Sequence, residues 1–197
     1  MFVLGIDPGL SRCGFGLVRT VVAPPGANGR GVEAVGHGVI STPPESPLPT
    51  RLLSVQRAIR ALIAQHHPDV VVVERVFFQT NVRTAMSVGQ ASGLALAEAE
   101  AAGCEVVQYT ANEVKQAVAG YGAAPKDQMQ RMVKTLLALE AVPRPADAAD
   151  ALALALCHIA RARWSGSAKR AVGSADAESS GRRSLRIATH AGGVPLR

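Results

Sequence analysis

Segments of strand and helix character alternate along this chain in a way that predicts an α/β fold, a mixed five-stranded sheet flanked by helices. Three observations carry the prediction. The first 41 residues hold short apolar runs separated by turn signals; a continuous β-branched run, DVVVVERV, lies mid-chain; amphipathic or Ala-rich stretches fill the spaces between and after.

Phe2–Asp7 (FVLGID) is an apolar strand closed by Asp-Pro-Gly, and residues 13–22 form a second strand after a Gly/Ser turn. Residues 32–41 form a third, behind the turn-rich PPGANGRG, so the three make an antiparallel meander. Over 48–67, Leu52, Leu53, Val55, Ile59, Leu62 and Ile63 recur near helical spacing, and Pro68 stops the helix. DVVVVERV is too short for a helix and suits a strand buried on both faces. The Ala-rich stretch 83–102 predicts a helix and Glu105–Tyr109 a strand, while Thr110 and Glu113 fit a capping box that opens another helix. Helices over 126–140 and 146–163 close the body, the second behind Pro143 and Pro145. Helical crossovers favour parallel neighbours, so the sheet is mixed in direction.

With 197 residues, 48% hydrophobic and 18% charged, the chain suits one domain over 1–163 with a tail over 164–197. No run approaches the roughly 18 apolar residues of a membrane span, so no membrane role is expected. The start lacks the pattern of a secretory leader, and a cytoplasmic location is expected. Cys13, Cys104 and Cys157 are far apart and form no CxxC pair, which argues against a disulfide framework or a thiolate zinc site. The net charge of +6 is uneven: residues 1–160 carry 13 basic and 13 acidic residues, whereas 161–197 carry eight basic residues against Asp176 and Glu178. A basic, Ser/Gly/Ala-rich tail without apolar periodicity predicts disorder and a general attraction for polyanions.

Chemistry gathers on four acids. Asp7 ends the first strand, where α/β folds place ligands, although an Asp before Pro8-Gly9 also suits a plain turn. Glu74 ends a buried run, where an uncompensated carboxylate is costly; Arg75 or another base as its partner is the structural alternative. In ADAADALALAL, Asp147 and Asp150 lie one turn apart on one helical face among Ala and Leu. Asp147 alone suits the helix dipole; Asp150, deeper in, is harder to explain that way. Four acids from three elements outline a hard oxygen-ligand site for Mg²⁺ or Mn²⁺, the arrangement that a two-ion attack on a phosphodiester uses.

The motifs GIDPGLSRCGFG, VVVERVFFQTN, TANEVKQAVAGYG and PADAADALALALCH, in this order over residues 1 to about 160, resemble those of the RuvC family of Holliday junction resolvases. The resemblance implies an RNase H-like fold, a homodimer acting on four-way junction DNA, and Mg²⁺-dependent paired nicking with two ions per site, in DNA recombination and repair. It implies Asp7, Glu74, Asp147 and Asp150 as the metal-binding set, with His at the position of Asp147 in some members. Lys115 and Lys126 match lysines that the family places near the scissile phosphate, and Phe77 an aromatic associated with opening the junction centre. Phe78 doubles that ring, and Tyr121 stands where many relatives have another polar residue. Without the resemblance, either lysine suits a solvated surface charge and Phe77 a core position. His158, two turns beyond Asp150, suits a structural role. A branch-migration helicase as partner is implied by the resemblance alone.

Three rivals define the tests. An RNase H-like nuclease acting on RNA or on other branched DNA keeps the fold and changes the substrate. An ATPase of the actin and hexokinase type shares the opening strand-Asp-Gly pattern but needs two such halves around its nucleotide, which 197 residues do not hold. A junction binder that no longer cuts gains nothing from aiming carboxylates at phosphates.

Overall fold

The computed structural model describes residues 1–22, 30–75 and 82–181, with side chains described over 1–22, 31–75 and 85–163. The chain divides into two units, Met1–Arg161 and Ala162–Arg197. The elements are β1 (Phe2–Asp7), β2 (Arg12–Val22), β3 (Arg30–Ser41), α1 (Leu48–His66), β4 (Val70–Glu74), α2 (Val82–Ala101), β5 (Glu105–Tyr109), α3 (Ala111–Ala119), α4 (Lys126–Leu136) and α5 (Ala146–Gly181).

The five strands form one sheet in the order β3-β2-β1-β4-β5. β1 pairs antiparallel with β2, and β2 with β3, as the meander predicts. β1 pairs parallel with β4, and β4 with β5, as the crossovers predict. This is the mixed sheet of an RNase H-like fold. The run Val70 to Val73 is buried on both sides because successive residues point to opposite faces. Val70 and Val72 join a core with Val114 and Val118 of α3, Met129 and Val133 of α4, and Leu152 and Ile159 of α5. Val71 and Val73 join a second core with Val55 and Ile59 of α1 and Ala95 and Ala99 of α2. Each buried Val contributes about 1.5–3 kcal/mol relative to exposure.

Local chemistry sets the helix ends. α1 closes with His67 in the left-handed region, its N–H donating to the Ile63 carbonyl, just ahead of Pro68. Thr110 and Glu113 form the expected capping box on α3. Glu98, buried on α2, accepts two bonds from Arg60 at 2.7 and 2.8 Å and one from Gln56 at 2.7 Å, which ties α2 to α1 and lowers the Glu98 carboxyl below its ordinary range.

Two helix ends differ from the periodicity. The helix expected over 126–140 stops at Leu136, because the chain turns at Ala138 with φ of 49° and the Leu139 N–H donates back to the Lys134 carbonyl. The helix expected to end at 163 runs to Gly181, through Ala- and Ser-containing sequence with no proline. Backbone hydrogen bonds need no apolar stripe, so the end of the stripe does not set the end of the helix.

α5 reaches the sheet through a bed of glycines. A Cβ on Gly5 of β1 would collide with the backbone carbonyl of Ala151, and one on Gly14 of β2 with that of Asp147. A Cβ on Gly16 would lie 2.7 Å from the Leu152 nitrogen. Ala148, Ala149, Ala151 and Ala155 are buried on the helix side, so small residues on both partners let the backbones approach. The first turns of α5 therefore sit at the end of the sheet where β1 stops.

Candidate functional site

Asp7 and Glu74 are the last residues of two adjacent parallel strands, so they emerge at the same sheet edge. The register pairs Ile6 with Val73 and brings the next two residues side by side. Alternation does the rest. Gly5 faces α5, and Val72 packs in the core that contains α5, so Asp7 and Glu74, two residues on, project from that same face. The two carboxyl groups are close enough that each perturbs the other's protonation.

The opening turns of α5 supply Asp147 and Asp150 to this edge. Asp147 accepts from Arg12 of β2, Nε at 2.9 Å and a terminal guanidinium nitrogen at 2.7 Å, both on Oδ2. Asp150 pairs with Lys126 Nζ, from the first residue of α4, at 2.9 Å. A cavity of about 230 Å³ opens beside them, lined among others by Glu74, Lys115, Lys126, Met129, Asp150 and Leu154. Lys115 arrives there from α3, whose start the Thr110–Glu113 box holds. The box itself is braced by Arg161 of α5, 3.5 Å from the Glu113 carboxylate and stacked 5.1 Å above the Tyr109 ring.

Four acids in one place repel one another, and the protein answers with a proton and two bases. Burial, then the neighbouring charges of Glu74, Asp150 and Asp147, push the Asp7 carboxyl up to about 8. Burial also raises Glu74, helped by Asp150, while the Asp7 hydrogen bond and the Lys126 charge oppose the rise. The bond to Asp150 raises Lys126 above the ordinary range of a lysine. With its carboxyl pushed up to about 8, Asp7 keeps its proton near neutral pH, at a point where a positive charge is favoured. Among the described residues, no set of three or more His, Cys, Asp and Glu side chains makes a ready-made ion cage. The donor set fits a hard divalent ion that leans on one or two carboxylates and takes its remaining ligands from water and phosphate oxygens, the habit of Mg²⁺.

Of the residues singled out from sequence, the structure brings Asp7, Glu74, Asp147, Asp150, Lys115 and Lys126 to this edge. Phe77 and Phe78 lie outside the described residues. Tyr121 is half exposed and donates to Gln128 at 2.5 Å. His158 is buried against the Tyr109 hydroxyl, 3.1 Å from Nδ1, and burial lowers its basicity. Cys13 and Cys157 are buried free thiols and Cys104 a partly buried one. Arg12 was missed: as a lone base after a turn it carries no periodic signal, and only its place inside GIDPGLSRCGFG hinted at the site.

Known proteins resemble this chain over most of its length. A crossover junction endodeoxyribonuclease RuvC of Salinispora arenicola (strain CNS-205) is 51% identical over 175 residues, 87% of this chain and 97% of the relative. The RuvC of Rhodococcus opacus (strain B4) is 51% identical over 162 residues, 82% of each chain. Among solved structures, Thermus thermophilus RuvC superposes with a TM-score of 0.75 at 36% identity, covering 84% of this chain and 97% of that one. The T. thermophilus RuvC in complex with Holliday junction substrate superposes with a TM-score of 0.73 at 33% identity, covering 83% and 96%. The family model described as crossover junction endodeoxyribonuclease RuvC matches residues 3–158, nearly the whole first unit, and the chain therefore belongs to the RuvC family.

Proposed function

We propose that this chain resolves Holliday junctions: it binds four-way DNA and hydrolyses one phosphodiester in each of two equivalent strands, serving DNA recombination and repair. The observation that carries the reading is the gathering of Asp7, Glu74, Asp147 and Asp150 from three elements at one sheet edge, in a chain of the RuvC family. These carboxylates would hold two Mg²⁺ ions, with Mn²⁺ an equally hard alternative. When bound, such ions make water nucleophilic at neutral pH and stabilise the leaving oxygen of a phosphodiester.

The chain's own residues supply the rest. Asp7, whose carboxyl is pushed up to about 8 by burial and neighbouring acids, would release its proton to hold a divalent ion, so loading would become easier as pH rises. Lys115 and Lys126, lining the cavity beside Glu74 and Asp150, offset the charge of the phosphate brought there. Phe77, just beyond the end of β4, is assigned to the junction centre by the family resemblance, as a ring that replaces a lost stacking partner. Segment 164–197 is read as a basic tail that adds general attraction for DNA. Two equivalent cuts ask for two sites, so a C2 homodimer belongs to the same reading. α2 is the candidate interface: a Cβ built on Gly89 or Gly93 meets open space, and Met86 is 62% exposed. A branch-migration helicase as partner rests on the resemblance alone, and a cytoplasmic location belongs to the same reading.

Incubation with a synthetic four-way junction, with and without Mg²⁺, tests the proposal. Symmetric nicks that appear only with metal support it. Preferential cutting of an RNA/DNA hybrid would favour a different RNase H-like nuclease, and binding without cutting a junction-binding protein.

A further inference from the structure

The four acids are not compensated alike. Asp7 and Glu74 lie together with no ion pair to either among the described residues, whereas Asp147 and Asp150 each carry a basic side chain on a carboxylate oxygen. For Asp150 that base is Lys126. For Asp147 it is Arg12, and its geometry is that of a tethered but releasable cation.

The root of Arg12 is fixed. Its neighbour Ser11 accepts from an Arg51 guanidinium nitrogen at 2.6 Å, and Arg51 Nε donates to Thr42 Oγ1 at 2.9 Å. Thr42 in turn donates its hydroxyl to the Leu10 carbonyl at 2.6 Å and its N–H to the Ser11 carbonyl at 3.2 Å. Arg12 itself pairs with Ser41 in the β2–β3 ladder. The tip is held more lightly. Both bonds to Asp147 end on one oxygen, and the Arg12 side chain is 52% exposed against 29% for Asp147. A half-exposed pair of this kind adds little to stability, so the fork is poorly explained as a strut. A guanidinium is also matched in shape to a phosphate.

The geometry points to Arg12 as a positioning residue of the same site: a resident counter-cation that occupies Asp147 until a divalent ion arrives, then turns to a DNA phosphate. The inference rests on the metal-site reading. A divalent ion beside Asp147 takes over the carboxylate charge and repels the guanidinium, whose fixed root and long stem leave it at the mouth of the site. Arg12 then has two opposite effects: it competes with metal in the free protein and helps hold DNA in the complex.

The test uses the full chain, with Mg²⁺ alone followed by calorimetric titration and junction binding followed in Ca²⁺ over a range of salt. Arg12→Met is expected to bind Mg²⁺ about two- to five-fold more tightly, the worth of a half-exposed ion pair. Its junction affinity should be weaker, with the slope of log K against log salt reduced by about one phosphate contact. Arg12→Lys should restore that slope and give an intermediate Mg²⁺ affinity, which keeps the test open if Arg12→Met does not fold. In an Asp147→Asn background, Arg12→Met should leave Mg²⁺ affinity unchanged. Unchanged or weaker Mg²⁺ binding on removing Arg12 alone overturns the inference and makes the residue a strut between β2 and α5. A native protein that takes up no Mg²⁺ would instead refute the metal-site reading itself, and this inference with it.

Discussion

Replacing Asp7 with Asn should make the metal-free protein more stable and the enzyme inactive, and the two effects have one cause. In the folded chain the Asp7 carboxyl is pushed from its ordinary 3.8 up to about 8 by burial and by Glu74, Asp150 and Asp147. Between about pH 4 and pH 8 the native state therefore keeps a proton that the unfolded chain has lost. An acid with its folded value raised loses stability as pH climbs through that window, by about 1.4 kcal/mol per pH unit for one proton, and the loss levels off above about 8. Asn carries no such proton. The stability difference between Asp7→Asn and the native chain should thus grow with pH and reach about 3–5 kcal/mol in favour of Asn near pH 8, allowing for water that reaches the carboxyl. Urea unfolding in EDTA at pH values from 5 to 8 measures this directly. Saturating Mg²⁺ should restore the native chain at high pH, where the ion takes the place of the proton. Junction binding should survive the substitution and cleavage should not, since one ligand is gone and repulsion of DNA is reduced. If the two proteins keep a constant stability difference across the pH range, Asp7 is not the strained group inferred here; wild-type cutting by the variant would remove it from the metal set.

Other perturbations probe the surroundings of the site. Gly14→Ala drives a Cβ into the Asp147 carbonyl; it should cost about 1–3 kcal/mol, lower Tm by about 2–4 °C for each, and slow cleavage, as thermal melts and single-turnover assays would show. Glu113→Ala removes the capping box and the partner of Arg161, and should cost about 0.5–2 kcal/mol while weakening the contribution of Lys115 on α3; unaltered urea melts would count against the brace. Phe77→Ala should bind junctions nearly normally but cut them slowly, with unpaired bases at the crossover restoring much of the rate; if loosened junctions are cut no faster, the ring has no wedge role. Removal of residues 165–197 should leave metal-dependent cleavage intact and flatten the salt dependence of DNA binding; loss of folding would mean that the tail is part of the body.

Much of the fold and part of the site could be read along the chain, because the signals are local. The continuous β-branched character and the short length of the DVVVVERV run point to a strand buried on both faces, and Asp7 and Glu74 are visible as carboxylates at strand ends. Thr110 and Glu113, three residues apart ahead of an apolar-periodic stretch, mark a helix start from local sequence alone. The three-residue spacing of Asp147 and Asp150 puts them on one face of a helix before any tertiary contact forms. The tertiary structure decided what these groups meet. Only the parallel pairing of β1 with β4 sets Asp7 beside Glu74, and only the close seat of α5 on Gly5 and Gly14 brings Asp147 and Asp150 to that edge. In the sequence those glycines resemble any weak strand position; their meaning lies in a helix more than 130 residues away. Charge compensation was illegible for the same reason, since Arg12 and Asp147 pair across 135 residues. Whether a carboxylate sits at a strand end is a property of its neighbours in the chain, but its proton, its counter-ion and its pKa depend on burial and on charges brought close in space, which no local pattern encodes.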